Sequence, residues 1–334
     1  MKRTLEALME GRDLDESEAA AVMQALATEA LPPAVGGALL AALRTKGESA
    51  AEVRGFAQAM RDLAVPVEVP DTGPPLVDTC GTGGDGSGSL NLSTAAALVV
   101  AAAGARVVKH GNRSISSRAG SADVLETMGI PIHHGSAAAA AALGEHGFVF
   151  LFAPNYHPAM KHIMPIRRAM GVRTVFNVLG PLSNPARPPY QVVGAFSLSA
   201  AETMAHALSG MNISRAFVVH GAEGWDEATP LGPYHLFDVR PGQVTPTIRD
   251  PQEAGIPRCT AADLAGGDAE YNAAALESLL KGGGGPHQDA VCLAAGLALE
   301  VCGMASDHKE GIALARASIL DGRAARLLSG LKAS

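Results

Sequence analysis

One run constrains this chain more than any other: Asp78-Thr79-Cys80-Gly81-Thr82-Gly83-Gly84-Asp85-Gly86-Ser87-Gly88-Ser89-Leu90-Asn91-Leu92-Ser93-Thr94. It joins the short apolar Leu76-Val77 to a long Ala/Val stretch beginning at Ala95. Strand, glycine turn and helix in that order make part of a parallel α/β unit. Glycines let backbone N–H groups approach a ligand closely, and a helix N-terminus adds unpaired N–H groups that favour an anion. No Gly-Lys-Ser/Thr follows, so this is not a P-loop. Gly81-Thr82-Gly83 also lacks the spaced third glycine and the acidic ribose reader of a dinucleotide fingerprint. A ligand-free turn could hold one such glycine. Gly81, Gly83, Gly84, Gly86 and Gly88 beside hydroxyls and amides point instead to a phosphorylated small molecule.

The sequence before this run reads as helical. Asp15 with Glu18 and Ser49 with Glu52 have capping-box spacing. They predict one helix reaching about Ala30 and another carrying Val53, Phe56, Met60 and Leu63 on one face. Pro32-Pro33 stop one helix and start the next, which ends near Gly47. Ala38, Leu39, Ala42 and Leu43 form an apolar stripe, either internal core or a dimer surface. The Pro-rich stretch 65–75 reads as a linker. Beyond it, strands are predicted at Leu76–Asp78, Arg106–Lys109, Phe148–Phe152, Gln191–Phe196 and Ala216–His220. Helices are predicted from a Ser93 or Thr94 cap to Gly104, over 200–208 and over 287–301. The expected class is α/β, with a small N-terminal α-helical domain (residues 1–68) and a large α/β domain (74–334) around a mostly parallel sheet.

Of the 334 residues 47% are hydrophobic but only 4% aromatic, so the core must be built from Ala, Val, Leu, Ile and Met. A formal charge of −7 argues against general affinity for nucleic acid or anionic membrane. Cys80, Cys259, Cys292 and Cys302 show neither CxxC pairing nor zinc-finger spacing, as expected of free thiols in a reducing compartment. Met1-Lys2-Arg3-Thr4-Leu5-Glu6 does not read as a secretory leader. The apolar run Ala95–Ala103 is too short to span a bilayer. A cytoplasmic location is the expectation.

Three further segments carry candidate chemistry. Lys109-His110-Gly111-Asn112-Arg113-Ser114-Ile115-Ser116-Ser117-Arg118, continuing to Ser121 and Asp123, follows the next strand. It should therefore emerge at the same sheet edge, where ligands bind in open α/β folds. Pro154, His157 and Arg167, with Phe176-Asn177-Val178-Leu179-Gly180-Pro181-Leu182, form the second. A guanidinium there could clamp a carboxylate, though adjacent Arg168 competes for the role. The third, Gly221-Ala222-Glu223-Gly224-Trp225-Asp226-Glu227, places adjacent acids after a strand, where they could hold Mg²⁺ jointly with phosphates and water.

In these motifs, their order and their spacing, nearly the whole chain resembles the anthranilate phosphoribosyltransferases, of the nucleoside phosphorylase-like fold. The resemblance implies transfer of a phosphoribosyl group from 5-phosphoribosyl 1-diphosphate to anthranilate, in tryptophan biosynthesis, by a homodimer joined through the small domain. It implies that Gly81, Gly84, Asp85, Ser89, Asn91, Leu92, Ser93 and Thr94, with Lys109 to Ser117 and Ser121, bind the diphosphate substrate. Gly81, His110, Asn112, Pro154, His157, Arg167 and Pro181 would surround anthranilate. Ser93, Asp226 and Glu227 would hold magnesium, as two Mg²⁺ ions. No acid–base residue is implied, because an aromatic amine is already unprotonated near neutral pH. The competing expectations are a related transferase or nucleoside phosphorylase with another acceptor, and a catalytically silent nucleic-acid-binding homologue.

Overall fold

The computed structural model describes residues 1–70, 72–114 and 118–333. The chain opens with helices α1 (Lys2–Met9), α2 (Glu16–Leu26), α3 (Pro33–Lys46) and α4 (Ala50–Asp62). Both capping boxes form: Asp15 accepts from Glu18 N–H and Ser49 from Glu52 N–H, with the glutamates reaching back. Helix α2 stops at Leu26, four residues short of expectation, and α3 starts at Pro33 as expected.

The α/β part continues with β1 (Leu76–Gly81), α5 (Leu92–Ala103), β2 (Arg106–Gly111), α6 (Ser121–Thr127), α7 (Ser136–His146), β3 (Phe148–Phe152), α8 (Ala153–Tyr156), α9 (Met160–Met170), α10 (Phe176–Leu179) and β4 (Tyr190–Gly194). It ends with α11 (Leu198–Ser209), β5 (Arg215–His220), β6 (Tyr234–Arg240), β7 (Gln243–Arg249), α12 (Ala269–Leu280), α13 (Pro286–Val301), α14 (His308–Leu320) and α15 (Arg323–Lys332). Among the described residues seven strands form one sheet in the order β3-β2-β1-β4-β5-β6-β7, and β3 through β5 are parallel. Loops after β1, β2, β3, β4 and β5 therefore leave at one edge.

The antiparallel β6–β7 hairpin was not foreseen. It turns at Pro241-Gly242, with Gly242 at φ 72°. Strand β7 is mostly exposed and polar, so it carries little of the alternating signal that marks a half-buried strand. Its Pro246 is tolerated because β7 is an edge.

Alternate residues of each strand feed different cores. Val107, Phe148, Val192 and Phe217 face α5 and α13–α15. Val193, Ala216, Val218 and Val239 face α11 and, through it, the N-terminal helices. Leu39 and Leu43 are fully buried in that second core. Leu39 and Leu43 are thus covered within the chain and are not themselves open to a partner, while Ala38 and Ala42 of the same stripe stay half-buried. No described helix is long and apolar enough to cross a membrane.

Candidate functional site

The glycine run leaves β1 and wraps back on itself before α5. Gly83, Gly84, Gly86 and Gly88 all sit at φ between 64° and 78°. That left-handed region is costly for any residue with a Cβ, which is why the run needs glycines. Thr82 anchors the loop to β4: its N–H donates to Gly194 O at 2.9 Å, and its Oγ1 accepts from Phe196 N–H at 3.1 Å. Arg173, just beyond α9, donates to Gly84 O and lies 4.2 Å over the Phe196 ring.

Helix α5 begins at Leu92, with Asn91 as N-cap and no side-chain cap of its own. The expected Ser93 or Thr94 cap does not form. Ser93 N–H instead donates to Glu227 Oε1, 3.0 Å away, so a carboxylate from a distant loop satisfies the helix start. Thr94 Oγ1 is buried there with no partner among the described residues.

The acidic pair reaches the same place. Asp226 Oδ2 accepts from Gly83 N–H at 2.6 Å, and Asp226 N–H donates to Asp85 Oδ2 at 3.1 Å. A Cβ on Gly81 would collide with the Asp226 carboxylate, and one on Gly221 with the Glu227 carbonyl. Burial, then repulsion from Asp85, pushes the Asp226 carboxyl above its ordinary range; burial, then Asp226, does the same to Glu227. Among the described residues no three His, Cys, Asp or Glu side chains converge closely enough to enclose a metal by themselves. Two crowded carboxylates suit a hard divalent cation that completes its shell with phosphate oxygens and water. Opposite them, buried Lys109 donates to Thr79 O and, at 3.4 Å, to Ser93 Oγ. Buried Asp78 lies near Lys109 and is fixed by Asn184 Nδ2 at 2.8 Å.

The loop after β2 behaves differently. Arg113 pairs with Asp123 at 2.9 Å and Glu126 at 2.8 Å and stacks on Phe152, so its charge is engaged at the loop's own base. Asn112 Oδ1 accepts from Arg113 N–H, and Ser121 Oγ donates to Asn112 O. Ile115, Ser116 and Ser117 lie outside the described residues.

A second cluster forms between β2, α8, α9 and α10. His110 and His157 Nε2 atoms are 3.1 Å apart, and His110 Nδ1 is 3.3 Å from Gly180 O. Burial pushes the two imidazoles down to about 3 and about 4, so both are neutral. A carbonyl can only accept, so His110 carries its proton on Nδ1 and His157 donates from Nε2. Pro181 is buried, its carbonyl accepting from Gln191, whereas Pro154 is exposed. Arg167 lies 5.3 Å from the Phe176 ring centroid, and burial lowers its affinity for its proton; Arg168 is exposed. Phe176 leans on Phe56 of α4, edge to face at 6.3 Å.

Comparison with known proteins decides the family. The helical-bundle domain of a glycosyl transferase family matches residues 2–64, and the α/β domain of that family matches 73–325. An anthranilate phosphoribosyltransferase of Desulforudis audaxviator is 47% identical over 331 residues, covering 99% of this chain and 95% of the relative. The chain belongs to the anthranilate phosphoribosyltransferase family. The Thermus thermophilus member superposes with a TM-score of 0.92 at 45% identity, covering 99% of this chain and 98% of that one. The Saccharomyces cerevisiae member, solved in complex with PRPP and Mg, gives 0.87 at 26% identity, covering 99% and 97%.

Three residues bonded to these elements escaped sequence reasoning: Arg173, Asn184 and Asn272. Asn272 contacts Asn91 across 181 positions. No local motif marks such a residue. Arg173, three positions before the Phe176 motif, and Asn184, two positions after its Leu182, each had a neighbour to draw attention to it, whereas Asn272 had none.

Proposed function

We propose that this chain transfers the phosphoribosyl group of 5-phosphoribosyl 1-diphosphate to the amine of anthranilate, releasing diphosphate. One observation carries the reading: the glycine loop, the start of α5, Lys109 and the Asp226–Glu227 pair converge on one cleft at the carboxyl edge of the sheet. Gly81, Gly84, Asp85, Ser89 and Asn91 to Thr94 line the donor side. Ser93, Asp226 and Glu227 would hold Mg²⁺, two ions on this reading. When bound, Mg²⁺ neutralises charge developing on the leaving diphosphate.

The chain's own part is placement. Backbone N–H groups of the loop and the Lys109 ammonium meet phosphate oxygens without reorganising. Arg167 clamps the anthranilate carboxylate against Phe176. The C1′–O bond breaks with its electron pair on diphosphate, the amine lone pair forms the new N–C1′ bond, and the now cationic nitrogen gives up one N–H proton to the departing diphosphate or to water. The aromatic amine attacks unprotonated, so the neutral His110–His157 pair serves as a polar wall and not as a required base. Homodimerisation and a cytoplasmic location remain part of the proposal on the family resemblance. With Leu39 and Leu43 internal, sedimentation velocity of the unaltered chain is the fitting test of assembly.

The functional test is loss of anthranilate fluorescence with phosphoribosyl diphosphate and Mg²⁺. Asp226→Asn with Glu227→Gln should remove most turnover while leaving the fold intact. Normal turnover of that variant at low Mg²⁺ would overturn the metal assignment, and no consumption by the parent would overturn the reaction.

A further inference from the structure

The outer wall of the glycine loop is a segment far along the chain. Gly266 N–H donates to Gly88 O at 2.8 Å, Leu90 N–H donates to Leu264 O at 3.0 Å, and Ser89 bridges to Ala265. A Cβ on Gly266 would press on Ser89 backbone, so the two strands of chain lie in direct contact. From this wall α12 carries Asn272 inward, where the side chain is 2% exposed.

Asn272 makes two bonds. Its Oδ1 accepts from Gly267 N–H at 2.7 Å and its Nδ2 donates to Asn91 Oδ1 at 2.9 Å. Asn91 Nδ2 in turn donates to Ala119 O at 3.2 Å, in the loop after β2. The ends of this relay have fixed polarity. A backbone N–H can only donate and a carbonyl can only accept, so both amides between them can face one way alone. The relay leaves half-buried Asn91 with one Nδ2–H and one Oδ1 lone pair, each on a determined side.

We propose that Asn272 is a positioning residue for the phosphoribosyl diphosphate site: it fixes the orientation of Asn91 and ties the glycine loop to the loop after β2. The inference rests on the assignment of Asn91 to that substrate. A buried amide is costly unless both its ends are bonded. Asn272 meets that condition by spanning two segments that nothing in the local sequence joins. Its effect on substrate is exerted through Asn91.

The test compares steady-state kinetics of Asn272→Asp, Asn272→Ser, Asn91→Ala and the N91A/N272S double variant. The aspartate keeps an acceptor for Gly267 but sets oxygen against Asn91 Oδ1, turning the relay's polarity against itself. The serine buries no charge and serves if the aspartate variant does not fold. Expected are a tenfold or greater rise in KM for phosphoribosyl diphosphate in N272D and a several-fold rise in N272S. KM for anthranilate should stay within about twofold, and the double variant should be no worse than N91A alone. A raised KM in N91A with normal values in N272D or N272S overturns the relay alone. Multiplying effects in the double variant, or equal rises in both KM values, show that Asn272 acts elsewhere and overturn it too. A normal KM in N91A overturns the substrate assignment and the relay with it.

Discussion

Arg167 is partly buried against Phe176, and desolvation is the influence that lowers its hold on its proton. A cation so placed gains most from an incoming carboxylate. Arg167→Ala should raise KM for anthranilate by roughly 10- to 100-fold, matching loss of about 1.5–3 kcal/mol for one charge-assisted contact. KM for phosphoribosyl diphosphate should change little. A larger effect from Arg168→Ala would transfer the role to its neighbour. Exposure separates the two arginines, and sequence could not, because adjacent positions share every local signal. His110 supports a prediction about pH. Unfolded, it takes up a proton below about 6.5; folded, it resists until about 3. Between those values the unfolded state binds more protons, so this residue's contribution to stability is intact above 6.5 and shrinks as pH falls. His110→Asn removes that loss. The stability gap between parent and variant should close by about 2 kcal/mol from pH 7 to pH 5, read by denaturant unfolding. An unchanged gap would mean that the imidazole is not held neutral.

Elements were legible where one periodic signal met a clear stop. Helix α4 followed from the Ser49–Glu52 box, and β3 from five consecutive apolar residues. The start of α5 was not, because Ser93 looks like a cap while its N–H is satisfied by Glu227 from a loop 134 positions away. The glycine loop was legible as a turn that requires glycine between strand and helix, and four of its glycines do occupy backbone space that other residues avoid. Gly81 differs from those four: its φ is ordinary and its constraint is the Asp226 carboxylate against its Cα. This separates two kinds of glycine within one loop. Gly81→Ala should abolish most turnover and weaken the Mg²⁺ dependence by pushing Asp226 aside. Gly86→Ala meets open space and carries only the strain of its φ, about 1–2 kcal/mol. It should lower the unfolding temperature modestly and retain more activity than Gly81→Ala. The reverse order in a side-by-side assay would show that Asp226 does not need the space at Gly81.

At the scale of the molecule the two matched regions, 2–64 and 73–325, suggest two units, yet the packing joins them. Met23, Leu40, Phe56, Met204, Leu208 and Val218 belong to one continuous core that runs from the N-terminal helices through α11 into the sheet. Arg61 of α4 donates to Leu182 O at 2.6 Å, near the His110–His157 pair, and Phe56 supports the ring on which Arg167 rests. This sharing was not legible in the sequence, since a stripe on a helix shows that a face is covered without showing what covers it. The Pro-rich 65–75 stretch reads as a joint between independent bodies, whereas Val65 N–H already bonds Tyr156 O at 2.8 Å. A core held in common makes unfolding cooperative. Calorimetry at fixed protein concentration should give one transition whose van't Hoff and calorimetric enthalpies agree. Phe56→Ala should remove about 3–5 kcal/mol, as large-to-small changes in a filled core do, and should shift that whole transition downward. Two resolved peaks, or a variant in which the helical segment melts first while the sheet stays at its parent temperature, would show that the bundle and the α/β part stand as separate thermodynamic units.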